Sequence, residues 1–389
     1  MNKRLIQLFQ RNTSSPNFIP EIDGLRFFAI MTVVVFHFHF LFAKEIAPLV
    51  QINLPEAHFW QLGWWFVRLD LGVKVFFGIS GFILSIPFLN HYWFGGRKIQ
   101  LKKYFWRRLT RLEPPFIIAL TGLFIVHILV LNESFEELFP NFVASIFYVH
   151  EIIFNEYSLI NPVTWSLETE VQFYILIPLI ALITLGNKNK ITGILTLLAL
   201  FVASLFFKNF VLTHHPYGLG TNILVFLSHF LIGTFFAILF LSRKEWVMKK
   251  SMIFDLIGII SFFGLFLYYK PQAQILNNFM FNFCLFWAFV GVFKGIFINK
   301  IFRLPVIYLI GGMCYTIYLL HLAYFYLFVK VAHALIISDN YLINLVFQFS
   351  LAFVSLMVIC ALFYLAIEKP CMDKDWPKKL GLKLRLISK

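Results

Sequence analysis

Charge is what this chain has least of. Only 13% of its 389 residues are Asp, Glu, Lys or Arg, against roughly 25% in soluble domains, while 60% are hydrophobic. Acidic residues are the scarcer kind, 19 against 33 basic ones, for a formal charge of +14. With 51 phenylalanines and a mean hydropathy of +0.80, a set of soluble domains is excluded. Cysteine is scarce as well: Cys284, Cys314, Cys360 and Cys371 show no paired spacing, which argues against a disulfide framework and a thiolate zinc site. No cleavable signal peptide is evident, because the first 24 residues are polar and the apolar run behind them lacks a small-residue cleavage site. That run reads as a retained signal-anchor.

Long apolar runs, by contrast, are abundant. Ten stretches of spanning length lie near 25–43, 71–90, 113–131, 162–185, 191–207, 221–242, 252–269, 276–298, 304–330 and 341–367. With so little polar surface they are expected to be helices, so the fold class is all-α: a polytopic membrane protein with about ten transmembrane helices. The basic residues orient it. Assigning the N-terminal segment, the loops at 91–112, 186–190 and 243–251, the 294–303 region and the C-terminal tail to the cytoplasm gathers 27 Lys and Arg there. Six remain opposite: Lys44, Arg68, Lys74, Lys208, Lys270 and Lys330. Both termini are therefore expected in the cytoplasm, and the excess charge implies no nucleic-acid partner. Two segments depart from the simple plan. Phe142–Val149 is too short to span and reads as interfacial or re-entrant. Residues 91–112 mix aromatic and basic side chains, which suits a helix lying on the anionic inner leaflet.

Ionisable groups at bilayer depth cost roughly 2.5–3.5 kcal/mol each on insertion scales, so each calls for a reason. His37, His39, Lys74, His127, Glu168, Glu170, His229 and His321 are such groups. Counting from the span ends places His37, Glu170 and His321 at one level, about 9–14 Å below the outer surface. Arg26 and His37 are eleven residues apart and share a helix face, separated by about 16 Å. His39 lies about 200° around the helix from His37, so a His-x-His metal pair is disfavoured and no metal site is expected. Near the inner surface Arg26, Arg107, Arg108, Arg111 and Glu368 form a second cluster. Arg108 and Arg111 are one turn apart at the start of a span, where paired guanidiniums suit phosphate, although topogenic charge explains them too.

Four motifs then carry a resemblance. They are Asp23-Gly24-Leu25-Arg26 with His37 eleven residues after the arginine, and the run Gly72-Val73-Lys74-Val75-Phe76-Phe77-Gly78-Ile79-Ser80-Gly81-Phe82. The others are Trp165-Ser166-Leu167-Glu168 continuing through Glu170, Gln172, Phe173 and Tyr174, and Tyr315-Thr316-Ile317-Tyr318-Leu319-Leu320-His321. With Arg108-Leu109-Thr110-Arg111 and Glu368-Lys369-Pro370 they run in an order that resembles the integral-membrane acyltransferase-3 family. Cys314 departs from it, standing where that family usually has Ser.

The resemblance implies transfer of an acyl group, commonly acetyl from cytoplasmic acetyl-CoA, to a hydroxyl of a glycan or related acceptor. Family members modify O-antigens, exopolysaccharides, peptidoglycan, glucans and macrolides. It implies a multi-pass protein of the inner (plasma) membrane. Acyl-CoA would be a co-substrate, no cofactor would be permanently bound, and the other partners would be the lipid bilayer and the hydroxyl acceptor. Residues 1–371 would form the acyltransferase domain and 372–389 a basic cytoplasmic tail, too short for the extracytoplasmic hydrolase-like domain of some relatives. In this reading Arg26, Arg108 and Arg111 hold the donor's phosphates. His37 is the base or the nucleophile, and Glu170 orients it. Ser80, Trp165, Tyr174 and His321 line the acceptor pocket, with interfacial anchoring an equal reading for Trp165. The competing class is a transporter or export component for a glycan precursor or small acid, which also buries charge at mid-depth.

Overall fold

The computed structural model describes residues 3–12, 18–50, 54–187, 189–214, 222–270, 274–373 and 375–379, and every regular element among them is helical. The principal helices are α1 (Pro20–Ile46), α2 (Leu71–Trp93), α3 (Leu101–Leu129), α4 (Phe135–Ile146), α5 (Thr164–Leu185) and α6 (Lys190–His214). They continue with α7 (Ile223–Ser242), α8 (Ile253–Tyr268), α9 (Ile275–Lys294), α10 (Pro305–Gly312), α11 (Cys314–Val329) and α12 (Tyr341–Phe363). Local chemistry sets several ends. Pro20 and Pro305 open their helices, where a missing N–H costs nothing, and the Asn222 and Asn340 side chains cap α7 and α12.

Among the described residues eight helices are long and apolar enough to cross a membrane. The stretch expected at 304–330 is a broken span, α10 and α11, which meet at Met313 with a bend of 72°. The one expected at 252–269 is α8, a 16-residue apolar helix below that length. Just before the bend Gly311 lies so close to α1 that a Cβ there would sit 1.8 Å from the Asp23 carbonyl oxygen. The freed N-terminus of α11 is then capped from elsewhere. The Glu368 carboxylate accepts from the Thr316 N–H at 3.1 Å and from its hydroxyl at 2.5 Å.

At the centre of the bundle α2 and α7 run almost backbone to backbone. A Cβ on Gly81 would fall 1.9 Å from the Phe230 carbonyl oxygen, and one on Gly233 would fall 1.9 Å from that of Gly78. Small residues allow this approach, and the Ser85–Thr234 hydrogen bond of 2.7 Å spans the same seam.

The segment at 91–112 corrects the expectation of a separate surface helix. Residues 95–100 form no regular element, and α3 starts at Leu101 and runs unbroken through Pro114 and Pro115 into its span. A proline inside a helix orphans the carbonyl four residues back. Here the Thr110 carbonyl accepts from the Trp376 indole at 2.8 Å, so a residue of the C-terminal tail repairs the defect. The expected interfacial piece Phe142–Val149 falls across the end of α4, an amphipathic helix of 12 residues.

Which end of the bundle faces the cytoplasm follows from the basic loops. Single cysteines introduced at 133–137 are therefore expected to react with a membrane-impermeant maleimide applied from outside, and those at 97–103 to stay protected. The reverse pattern would overturn the assignment.

Candidate active site

His37 sits past the middle of α1, and its Nδ1 lies 2.9 Å from Nε2 of His321 on α11. The second imidazole fixes which nitrogen carries the proton. His321 Nδ1 faces the carbonyl oxygens of Ile317 and Tyr318, each at 2.9 Å. Carbonyls only accept, so Nδ1 of His321 donates and its Nε2, in the neutral ring, is an acceptor. His37 must then donate from Nδ1. Its own Nε2 is left with a free lone pair and no protein partner among the described residues, on a half-buried ring. His39 takes a different neighbour, the Tyr341 hydroxyl on α12 at 2.9 Å, and stacks on Phe66.

The expectation that Glu170 orients His37 is corrected. Glu170 Oε1 accepts from the Ser80 hydroxyl at 2.6 Å and from the Tyr174 hydroxyl at 2.5 Å, and it makes no hydrogen bond to His37. The hydrogen-bonding neighbour of His37 is His321, expected in the acceptor pocket. Ser80 and Tyr174 likewise serve Glu170. They bridge α2 to α5 through its carboxylate, Tyr174 standing one turn along the same helix.

The arginines gather at the start of α1. Asp23, fully buried, accepts from Arg26 Nη1 at 2.6 Å and from Arg11 Nε at 2.7 Å. Burial, then the adjacent Arg26 guanidinium, draws Arg11 down to about 10 against the pull of Asp23, which leaves it charged at neutral pH. Arg111 is close enough to act on Arg11 and Glu368 through space and has no hydrogen-bond partner among the described residues. Arg108 stacks on Tyr104, 4.5 Å from its ring centre, with the Tyr174 ring at 5.8 Å. One carboxylate shared by two guanidiniums, with a third left free, is a surplus of donors suited to phosphate oxygens.

A third cluster begins at the first turn of α2. Asp70 Oδ2 accepts from Lys74 and from the Tyr269 hydroxyl, both at 2.5 Å, and Asp70 lies near enough to act on His37 through space. Trp165 lines the cavity beside this cluster. Glu168 accepts from the Glu151 N–H at 3.1 Å, and burial together with that neighbouring carboxylate pushes Glu151 up to about 8. No group of three or more His, Cys, Asp or Glu among the described residues is arranged to hold a metal ion.

Compared with known protein families, residues 19–365 match the acyltransferase domain model of the acyltransferase-3 type. The chain belongs to the acyltransferase-3 family. It is similar to the O-acetyltransferase OatA of Staphylococcus aureus strain NCTC 8325 / PS 47 and to that of strain COL. Each is 27% identical over 345 residues, which covers 82% of this chain and 52% of the relative. The chain thus spans about half the length of the curated relatives it matches. No solved structure matches it.

Several residues of this acyltransferase-3 chain escaped the sequence reading. Arg11 counted only as a basic residue of the N-terminal segment, and nothing local marks its reach to Asp23. Lys74 was noticed for its depth, and its i,i+4 spacing from Asp70 was the available sign of their ion pair. Tyr269, 199 positions from Asp70, carried no sign at all.

Proposed function

We propose that this multi-pass membrane protein is an O-acyltransferase of the inner (plasma) membrane. It would move an acyl group, most simply acetyl, from cytoplasmic acyl-CoA to a hydroxyl of a glycan or related acceptor. The observation that carries the reading is the free lone pair on His37 Nε2, set by the hydrogen-bond chain from His37 through His321 to the Ile317 carbonyl. A buried imidazole held only for packing has no need of a defined unpartnered nitrogen.

The donor's phosphates dock at the arginine cluster, with Arg111 the free guanidinium and Arg26 and Arg108 beside it. From Arg26 to His37 is about 16 Å along α1, within the reach of an extended pantetheine arm. At the thioester, His37 Nε2 takes the proton from the acceptor hydroxyl while the hydroxyl oxygen attacks the acyl carbon. The carbon–sulfur bond breaks, and the leaving thiolate recovers the proton from His37. The imidazolium formed between these steps keeps its Nδ1–H on neutral His321, as the orienting partner of a triad would hold it. The alternative order, in which Nε2 first forms an acyl-imidazole, uses the same geometry.

One feature favours the transport reading: the broken α10–α11 span, a kind of break found in secondary transporters. It has no counterpart among the described residues, whereas transporters of that kind pair such breaks across repeats.

The direct test is acetyl transfer from acetyl-CoA by the purified chain, with donor binding followed by calorimetry. Arg111→Ala is expected to weaken acetyl-CoA binding roughly tenfold or more, the scale of a charge-assisted contact. Arg111→Lys is expected to restore part of it, since lysine keeps the charge without the planar fork. Unchanged affinity in a folded Arg111→Ala protein would remove this docking site.

A further inference from the structure

The mechanism leaves one set of buried polar groups unused. At the end of the bundle opposite the arginine cluster, α2, α5, α6, α7, α8 and α9 enclose a cavity of about 200 Å³. Its wall includes Lys74, Lys208, Lys270, His229 and Trp165. Only six basic residues lie outside the basic loops, and three of them meet here. Asp70 is the one carboxylate among the described lining residues, and it is already committed to Lys74 and Tyr269.

Lys208 is the telling group. It is 8% exposed, it has no hydrogen bond or ion pair among the described residues, and its Nζ lies 5.6 Å from the Phe226 ring centre. A buried lysine with no counter-charge among the described residues is costly to hold in its charged form, and an anion brought by a ligand would offset that cost. His229 adds a second unmet demand. Asn282 gives its amide N–H to the Asn278 carbonyl at 2.8 Å, so its Oδ1 faces His229 Nδ1 at 2.8 Å and accepts. In the neutral ring Nε2 is then an acceptor, and it is buried with no partner among the described residues. The cavity therefore presents a cation, a lone pair and the indole of Trp165 together.

We propose that this cavity binds an anionic group, a carboxylate or a phosphate, carried by the hydroxyl acceptor. Lys208 pairs with the anion, His229 Nε2 accepts from a hydroxyl beside it, and Trp165 covers the ring that bears both. Asp70 lines the cavity and is near enough to act on His37 through space, so in this proposal the reacting hydroxyl of an acceptor anchored at Lys208 turns toward the free Nε2. Calling the ligand the acceptor rests on the acyltransferase reading; the anion site itself does not.

The test uses the full chain in detergent with no donor present and reads thermal stability, since a ligand that binds only the folded state raises the melting temperature. The probes are glucose, glucuronate and glucose 1-phosphate at matched ionic strength. Glucuronate or glucose 1-phosphate is expected to raise the melting temperature where glucose does not, and which of the two does so names the anion. Lys208→Met should abolish the shift and Lys208→Arg should keep it. In wild-type transfer assays the anionic sugar is expected to be preferred over glucose by roughly ten- to a hundredfold in kcat/KM, the worth of one charged hydrogen bond. Equal shifts from all three sugars, or from none, would overturn the proposal, and this comparison needs only wild-type protein should Lys208→Met fail to fold. An anion-specific shift without any acyl transfer would instead sink the acyltransferase reading and leave the anion site standing.

Discussion

Replacing His37 with alanine is expected to lower acyl transfer by roughly 10²–10⁴-fold, the usual worth of a positioned general base, and to leave donor binding in place. The proposed docking puts the donor's phosphates at the opposite end of α1, so the loss should fall on turnover and leave the donor's dissociation constant unchanged. His39→Ala is the matched control: it removes one imidazole from the same helix, but that ring is engaged with Tyr341 and Phe66. It should keep substantial activity. His321→Ala is expected to fall between the two, because His37 keeps its nitrogens and loses the partner that fixes its tautomer, which should also move the pH–rate profile. The measurement is transfer by each purified variant at equal folded concentration. A His37→Ala protein turning over near the parental rate would falsify this mechanism.

The second large effect is on assembly. Gly233→Val is expected to cost about 3 kcal/mol or more, the upper end of overpacking, because the new Cβ meets the Gly78 carbonyl oxygen at 1.9 Å and backbone has no rotamer by which to yield. Gly81→Val should behave alike against Phe230. Gly122 supplies the contrast. It lies inside α3 with nothing within 4 Å of an added Cβ, so Gly122→Ala is expected to be neutral or to stabilise by up to about 1 kcal/mol. Thermal unfolding in one detergent, with the yield of monodisperse protein, separates the three. Parental stability in Gly233→Val would mean that α2 and α7 are not in backbone contact.

The helices themselves were legible because each is announced by a long apolar run, and all ten expected stretches contain one. The broken span was not legible. The Gly311–Asp23 backbone contact beside it joins positions far apart in the chain, and apart from Gly311-Gly312 the run around the bend is long and mostly apolar, which reads as one span. In the site, depth counting put His37, Glu170 and His321 on a shared level, since each position depends only on distance from a span end, and of the three only the two histidines are hydrogen-bonded to each other. Rotation about each helix axis decides who touches whom, and three carboxylate assignments turned on it. Glu170 faces Ser80 and Tyr174, Asp23 is shared by Arg11 and Arg26, and Asp70 joins Lys74 to Tyr269. Single-helix spacing reaches the i+3 and i+4 partners among these and none of the others.

The hydrogen bond between His37 and His321 joins residues 284 positions apart, on the first long helix and one of the last. In a chain made from its N-terminus, the arginines of α1 and α3 emerge while His37 still lacks the ring that sets its tautomer. A truncated product that ends before α11 therefore carries His37 without the ring that sets its tautomer.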